Sequence, residues 1–321
     1  MSLPARERGG AQSSGSIPLG GALLLVLVCC LWGGNMVSIK ISNQGLPPCL
    51  AAAVRSGVAA VLLWAYARMK GEKAFLPRQH CWQGVLIGVL FGLDFLFLYW
   101  GTAFTHASRA VIFLYTHPFW VALGAHFIIA SDSLNLAKGG GLALAFAGLI
   151  LVFASRSATL GPQFWVGDLM EVAAALFWAA TTLYIKRSMT NREISYIQTL
   201  FAQLLFSIPV LGLASLLLEH GQPVSLSGLI LGAFAYQCFV VAFFSYLLWF
   251  WMIHHFSVSR LAAFTFLVPL FGVIFSGLVL DEPLPPPLWG GLVLVAAGIY
   301  LVNRPENGSG SSSCTVDKAE T

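Results

Sequence analysis

Apolar residues in this chain come in long blocks separated by short polar stretches. Ten apolar runs lie near residues 19–39, 48–68, 82–101, 110–129, 139–154, 164–185, 194–218, 227–254, 261–280 and 288–302. A helix needs about 20 apolar residues to cross ~30 Å of hydrocarbon. Eight runs meet that length, and the fifth and tenth are near the minimum. The connections leave no room for an inserted soluble domain. The pattern predicts an all-α membrane protein with ten transmembrane helices. The first run lacks a small-x-small cleavage site and is long enough to span, so it is predicted to stay in the mature chain. Residues 1–18 and 304–321 are polar and carry Gly and Ser, and are predicted to be disordered tails.

The blocks also repeat. Ser108-Arg109 and Ser259-Arg260 each open an apolar run. Pro118 and Pro269 follow nine residues after their Arg, and Asp132 and Glu282 close the two runs. Gly140-Gly141 with Gly148 recur as Gly290-Gly291 with Gly298, offset by 150. Trp32-x7-Lys40 recurs as Trp178-x7-Lys186, offset by 146, and Trp100 recurs as Trp251. The chain therefore reads as two copies of a five-helix unit, 19–155 and 164–303. An odd number of spans per copy forces the second copy to enter from the opposite side, so the repeats are inverted. Inverted repeats give many secondary transporters two alternative faces around one central site.

Composition supports a lipid environment: 58% of the 321 residues are hydrophobic and 9% are charged, against about 25% charged in a soluble domain. With the N-terminus inside, Lys40, Arg109 and Arg156 fall in outer segments and Arg55 within a span. The other thirteen of the seventeen Lys and Arg fall inside, which predicts cytoplasmic termini by the positive-inside rule. The six cysteines fit neither a disulfide framework nor a zinc site and read as small buried hydrophobes.

Taken together, Leu31-Trp32-Gly33-Gly34-Asn35 with Lys40, the Pro118 and Pro269 helices, Asp281-Glu282-Pro283-Leu284, and Gly290-Gly291 with Gly298 resemble the drug/metabolite transporter superfamily, EamA type. The resemblance covers roughly 19–303. It implies ten helices, cytoplasmic termini, a central substrate cavity, alternating access and export from the cell across a bacterial inner membrane. Ala130-Ser131-Asp132 departs from the Gly-Glu more usual in the family.

Charged residues inside spans are costly and therefore informative. At ~1.5 Å per residue, Arg55 and Asp94 each lie ~10 Å, Glu171 ~9 Å and Asn35 ~8 Å from the outer ends of their helices. They are predicted to share one layer. Two readings of Arg55 and Asp94 stay open: a structural ion pair, or charges that meet the substrate or a proton. A carboxyl group withdrawn from water is protonated more readily, so Asp94 and Glu171 are the proton-coupling candidates. For Glu171 a residue exposed to interfacial water is the competing reading. Glu171, Trp178 and Thr181 share one helix face, as do Trp32 and Asn35. These polar and aromatic stripes suit a cavity wall, set against ordinary helix packing. Gln203, Gln237 and Tyr246 complete the predicted substrate pathway. Tyr99, Trp100, Trp249 and Trp251 sit at helix ends and read as an aromatic belt.

No phosphate loop, nucleophile motif, metal-ligand spacing or basic-aromatic patch is present, so no enzyme, cofactor, metal or nucleic-acid role is predicted. The expected partners are a small-molecule substrate and the lipid bilayer, and a homodimer is compatible with the chain. The sequence predicts a secondary active transporter exporting a small organic metabolite such as an amino acid or derivative, with proton coupling as an option. The alternatives are a multidrug or nucleotide-sugar type transporter, or a polytopic membrane enzyme or helper subunit.

Overall fold

A computed structural model describes residues 17–105, 107–154, 162–190, 193–281 and 284–304, apart from the side chains of residues 103, 107 and 108. The predicted tails lie outside the described residues except at 17–18 and 304, as do Arg156, Glu282, Pro283 and Cys314.

Helices α1 (Leu19–Ser42), α2 (Pro48–Met69) and α3 (Cys81–Phe104) form the first three spans. The fourth is broken into α4 (Ala107–Leu114) and α5 (His117–Ile128), and α6 (Leu136–Phe153) closes the first half. The second half follows the same order. Helix α7 (Phe164–Tyr184) continues as a π-helical turn over Ile185–Met189 before α8 (Tyr196–Leu218). Its third span joins α9 (Gly228–Ala235), a π-helix (Tyr236–Ser245) and α10 (Tyr246–His255). Its fourth is broken into α11 (Val258–Phe264) and α12 (Leu267–Leu280), and α13 (Leu288–Asn303) ends it. Among the described residues nine helical segments are long and apolar enough to cross a bilayer, and α13 is the shorter tenth. Exposed Leu23, Val61, Leu216, Leu278 and Val293 make the outer surface apolar, as lipid contact requires.

Both helix breaks fall just ahead of a proline. Proline offers no N–H and its ring collides with the preceding turn, so α5 and α12 start afresh at His117-Pro118 and Leu267-Val268-Pro269. In each gap a threonine hydroxyl donates to a carbonyl of the turn before it: Thr116 to Phe113 and Thr265 to Ala262, each at 2.7 Å. The backbone groups released by the break are thus partly satisfied without water.

Inversion is visible where α6 meets α13. A Cβ on Gly141 would lie 2.7 Å from the Gly298 carbonyl oxygen, and one on Gly148 would lie 2.8 Å from that of Gly291. Position 141 faces 298 while 148 faces 291, so the helices run antiparallel. The facing glycines are also repeat-equivalents crosswise. Other helices exchange partners in the same way: α1 packs on α12, and α7 on α5. The protein is therefore an all-α membrane protein of ten transmembrane helices, arranged as two inverted five-helix repeats.

Polar ties join the halves away from the centre. The Glu219 carboxylate at the end of α8 accepts from the backbone N–H groups of Cys49 (2.6 Å) and Leu50 (3.0 Å) at the start of α2. These are orphan donors at a helix N-terminus, where a negative charge is favoured. Asp132 accepts from the Ser259 N–H (3.0 Å) and the Lys138 ammonium (3.2 Å). Asp168 accepts from Thr105 Oγ1 (2.8 Å) and forms a two-pronged ion pair with Arg109.

Candidate functional site

A cavity of about 570 Å³ runs down the middle of the bundle. Helix α1 supplies Trp32, Asn35 and Lys40, α3 supplies Phe91, Asp94, Phe95 and Tyr99, and α4 supplies Leu114 with Tyr115 beside it. Trp178, Thr181 and Ile185 come from the α7 span, Gln203 from α8, and Tyr246, Trp249, Phe250 and Ile253 from α10. Pro269, at the start of α12, lies on the wall, so each half-broken span presents its irregular backbone region to the chamber. Irregular backbone at membrane depth is tolerated where it borders a cavity or is buried in protein.

One end is open and the other shut. Lys40, Asn43 and Thr102 are exposed at the mouth. Ile185, Phe250 and Ile253 are buried at the floor, where the Lys186 ammonium donates to the Ile253 carbonyl at 2.8 Å.

Aromatic and aliphatic side chains make up most of the walls. The Trp32 ring lies 5.1 Å from Trp249 and 6.2 Å from its repeat-equivalent Trp178, with Tyr246 edge-on at 6.0 Å. Trp32 Nε1 donates to Ser245 Oγ at 2.8 Å. Ser245 ends the π-helical stretch, whose wider turns also bring the Tyr236 hydroxyl to the Leu31 carbonyl (3.0 Å). Behind Trp178 the imidazole of His117 stacks at 3.8 Å, fully buried, with neither ring nitrogen hydrogen-bonded among the described residues.

Few polar groups reach this chamber. Asp94 lines it, and among the described residues no hydrogen bond or ion pair reaches its carboxylate. Asn35 Oδ1 and Gln203 Oε1 are buried and likewise unpartnered among the described residues. Thr181 donates to the Phe177 carbonyl at 2.8 Å, which leaves its oxygen able to accept.

Arg55 is 1% exposed and lies outside the lining. It forms no salt bridge with Asp94. Its guanidinium sits 4.7 Å from the Phe95 ring centroid, and its three nitrogens have no hydrogen-bond acceptor among the described residues. Of the two readings open for Arg55 and Asp94, the direct ion pair is not formed; the guanidinium makes a cation–π contact with Phe95 instead. Glu171 is 0% exposed, so its side chain does not face water in this structure. It packs against Gly101 of α3 rather than on the chamber, and both carboxylate oxygens lack partners among the described residues. Gln237 also lies off the lining. Its amide donates to Ser38 O (3.2 Å) and Ser42 Oγ (2.8 Å), stitching the π-helix to α1. Trp32, Asn35, Asp94, Trp178, Thr181, Gln203 and Tyr246 do line the cavity.

The sequence profile of the EamA-like transporter family matches residues 19–154 and 165–304. The chain belongs to this family. A probable amino-acid metabolite efflux pump of Salmonella typhimurium is 29% identical over 290 residues, covering 87% of this chain and 93% of the relative. The uncharacterized transporter YoaV of Bacillus subtilis is 22% identical over 278 residues, covering 86% and 94%. One solved crystal structure superposes with a TM-score of 0.74 at 17% identity, covering 88% of this chain and 96% of that one, and so shares the fold. The protein is an integral, multi-pass membrane transporter.

Two aromatic residues assigned from sequence to the membrane interface belong to this EamA-like chamber. Trp249, 4% exposed, packs against Trp32 with the rings tilted at 58°, and Tyr99 lines the mouth. Both stand near a helix end, which is what suggested a belt. Periodicity could have corrected this: Tyr246, Trp249, Phe250 and Ile253 fall at i, i+3, i+4 and i+7, one helix face. Phe91, Asp94, Phe95 and Leu98 repeat that spacing on α3.

Proposed function

We propose that this transporter is a secondary active carrier that exports a small amine-bearing metabolite, an amino acid or a derivative of one, by alternating access across the bacterial inner membrane. The chemistry of the chamber carries this reading. Asp94, Asn35 and Gln203 offer oxygen acceptors that no described residue occupies, within walls of Trp, Tyr and Phe. Unpartnered buried acceptors are costly, and an ammonium group with three N–H donors relieves that cost. Aromatic faces bind both the cation and the apolar part of such a solute. The cavity volume suits a small molecule, for which ~300–1,000 Å³ is usual.

The name of the Salmonella typhimurium relative, a probable amino-acid metabolite efflux pump, points to the same solute class. The distribution of Lys and Arg supports cytoplasmic termini, so the open mouth faces outward. Residues 19–155 and 164–303 serve as the two repeat units. Asp94 and Glu171 are the candidates for proton coupling, since each is a carboxyl withdrawn from water with no cation bonded to it among the described residues.

The test is flux through purified protein in liposomes, with labelled amino acids and amino-acid derivatives. Saturable movement of one of them down its gradient, blocked by the unlabelled compound, is the expected result. If every amine-bearing solute stays put while an anionic or uncharged one moves, the assignment of the chamber is overturned. Movement of no solute at all is the behaviour of a helper subunit.

A further inference from the structure

Arg55 carries a charge that the protein buries and does not neutralise. The residue is 1% exposed, and all three guanidinium nitrogens are buried without a hydrogen-bond acceptor among the described residues. An arginine cannot shed its proton to escape the cost of burial, as a buried lysine can. The Phe95 ring, 4.7 Å from the guanidinium carbon, replaces an anion only in part, because it offers a quadrupole and no oxygen to accept the five N–H groups.

Phe95 also links this buried charge to the chamber. Phe91, Phe95 and Tyr99 fall at i, i+4 and i+8 on α3, and all three line the cavity. Successive rings of this column lie 4.8 Å and 5.8 Å apart. Asp94, next to Phe95 in the chain, lines the cavity as well, with no bond to its carboxylate among the described residues. By helix rise, Arg55 and Asp94 stand at one depth, each ~10 Å from the outer end of its helix. Two opposite charges at one level thus leave each other unpaired. An amine in the chamber satisfies Asp94 and leaves the guanidinium as it is. A solute with both an ammonium and a carboxylate satisfies both groups at once.

We infer that Arg55 is a carboxylate subsite covered by Phe95, and that the chamber takes zwitterionic amino acids rather than simple amines. When the solute enters, the Phe95 ring turns off the guanidinium and opens it to the chamber. The guanidinium then donates to both oxygens of the solute carboxylate, whose planar geometry matches the arginine fork, while the ammonium donates to Asp94. With the chamber empty, Phe95 returns and the cation rests on its ring. The inference rests on the reading of the chamber as an amine site and adds the second charge of the solute.

The experiment compares the common L-amino acids with their carboxamides, which keep the ammonium and lose the carboxylate charge. Binding to the purified full chain is titrated in detergent at about pH 6, where both carry the ammonium. The readout is the ratio of the two affinities for each pair. In the parent the amino acid should bind roughly tenfold or more tighter than its carboxamide, as a charge-assisted two-pronged contact requires. Arg55→Gln should bring the ratio down to about one, by weakening the amino acid and leaving the carboxamide where it was. Phe95→Leu keeps an apolar wall but removes the ring that competes for the guanidinium, so the ratio should rise by about twofold or more. A residue that merely supports the fold would weaken both members of a pair and leave their ratio unmoved. Equal binding of amino acid and carboxamide by the parent, or an unchanged ratio in Arg55→Gln, overturns the subsite. If Arg55→Gln does not fold, Phe95→Leu decides: a higher ratio supports the covered subsite, and an unchanged or lower one sinks it. Binding of carboxamides with none of any amino acid defeats the subsite and leaves the amine carrier standing, whereas absence of all amine-bearing solutes from both binding and flux strikes the carrier reading itself.

Discussion

Asp94 is the one acidic residue among the described residues that line the chamber, so its removal has a specific expected signature. Asp94→Asn keeps shape and loses charge. A hydrogen bond to a charged group contributes ~1.5–3 kcal/mol, so affinity for an ammonium-bearing substrate should fall roughly 10–100-fold. Competition by an uncharged analogue should change little, and equal losses for both would show that Asp94 shapes the wall without meeting the charge. Glu171 poses a different question, because it lies behind α3 with both oxygens unpartnered among the described residues. Glu171→Gln should retain substrate exchange and lose proton-driven accumulation, measured as uptake against imposed pH gradients. Accumulation that keeps its parental pH dependence removes Glu171 from coupling. At this scale the sequence showed which helices carry polar groups but not which way they point. Helix depth is linear in residue number and placed Asn35, Arg55, Asp94 and Glu171 in one layer. The direction each takes around its helix depends on neighbours, and these turned Arg55 onto Phe95 and Glu171 onto Gly101.

The ten spans were legible because hydrocarbon thickness sets the length of every apolar run, and Pro118 and Pro269 were visible as part of the repeat, although the helix breaks ahead of them were not predicted. The π-helical stretch Tyr236–Ser245 was not. Its sequence YQCFVVAFFS is almost wholly apolar, so a widened turn shifts no polar residue off an expected face. The glycine pairs were visible as a repeat, but which glycine meets which follows from the antiparallel crossing of α6 and α13. That crossing makes a sharp prediction. A Cβ on Gly298 would lie 2.5 Å from the Gly141 carbonyl oxygen and 2.6 Å from the Ala145 nitrogen, both backbone atoms that cannot turn aside. Gly298→Ala should therefore push the helices apart and cost ~1–3 kcal/mol, the usual range for overpacking. Gly139→Ala, on the same helix pair but with nothing within 4 Å, is the control and should be near neutral. Thermal unfolding in detergent separates the two, and equal melting temperatures would mean that α6 and α13 are not packed at those glycines.

For the molecule as a whole, the state of the cavity and the orientation in the membrane are one question. The mouth carries Lys40, Asn43 and Thr102, while the floor lies beside Lys186 and Arg187. Thirteen of seventeen Lys and Arg lie on the side of the floor by the sequence count, with Lys40, Arg109 and Arg156 opposite and Arg55 between. A bias of this kind retains positive loops in the cytoplasm during insertion. The proposal that follows is that the mouth opens to the exterior, and that this conformation is the one from which an exported solute departs. Single cysteines at Asn43 and Arg187, both exposed positions on opposite faces, test it in intact cells. An impermeant maleimide should label Asn43→Cys directly and Arg187→Cys only after permeabilisation. The reverse pattern would invert the molecule, making the present conformation the one that loads from the cytoplasm. The chamber chemistry would stand in either case, but the end of the cycle at which Asp94 is accessible would change, and with it the side on which substrate must be added to saturate the site.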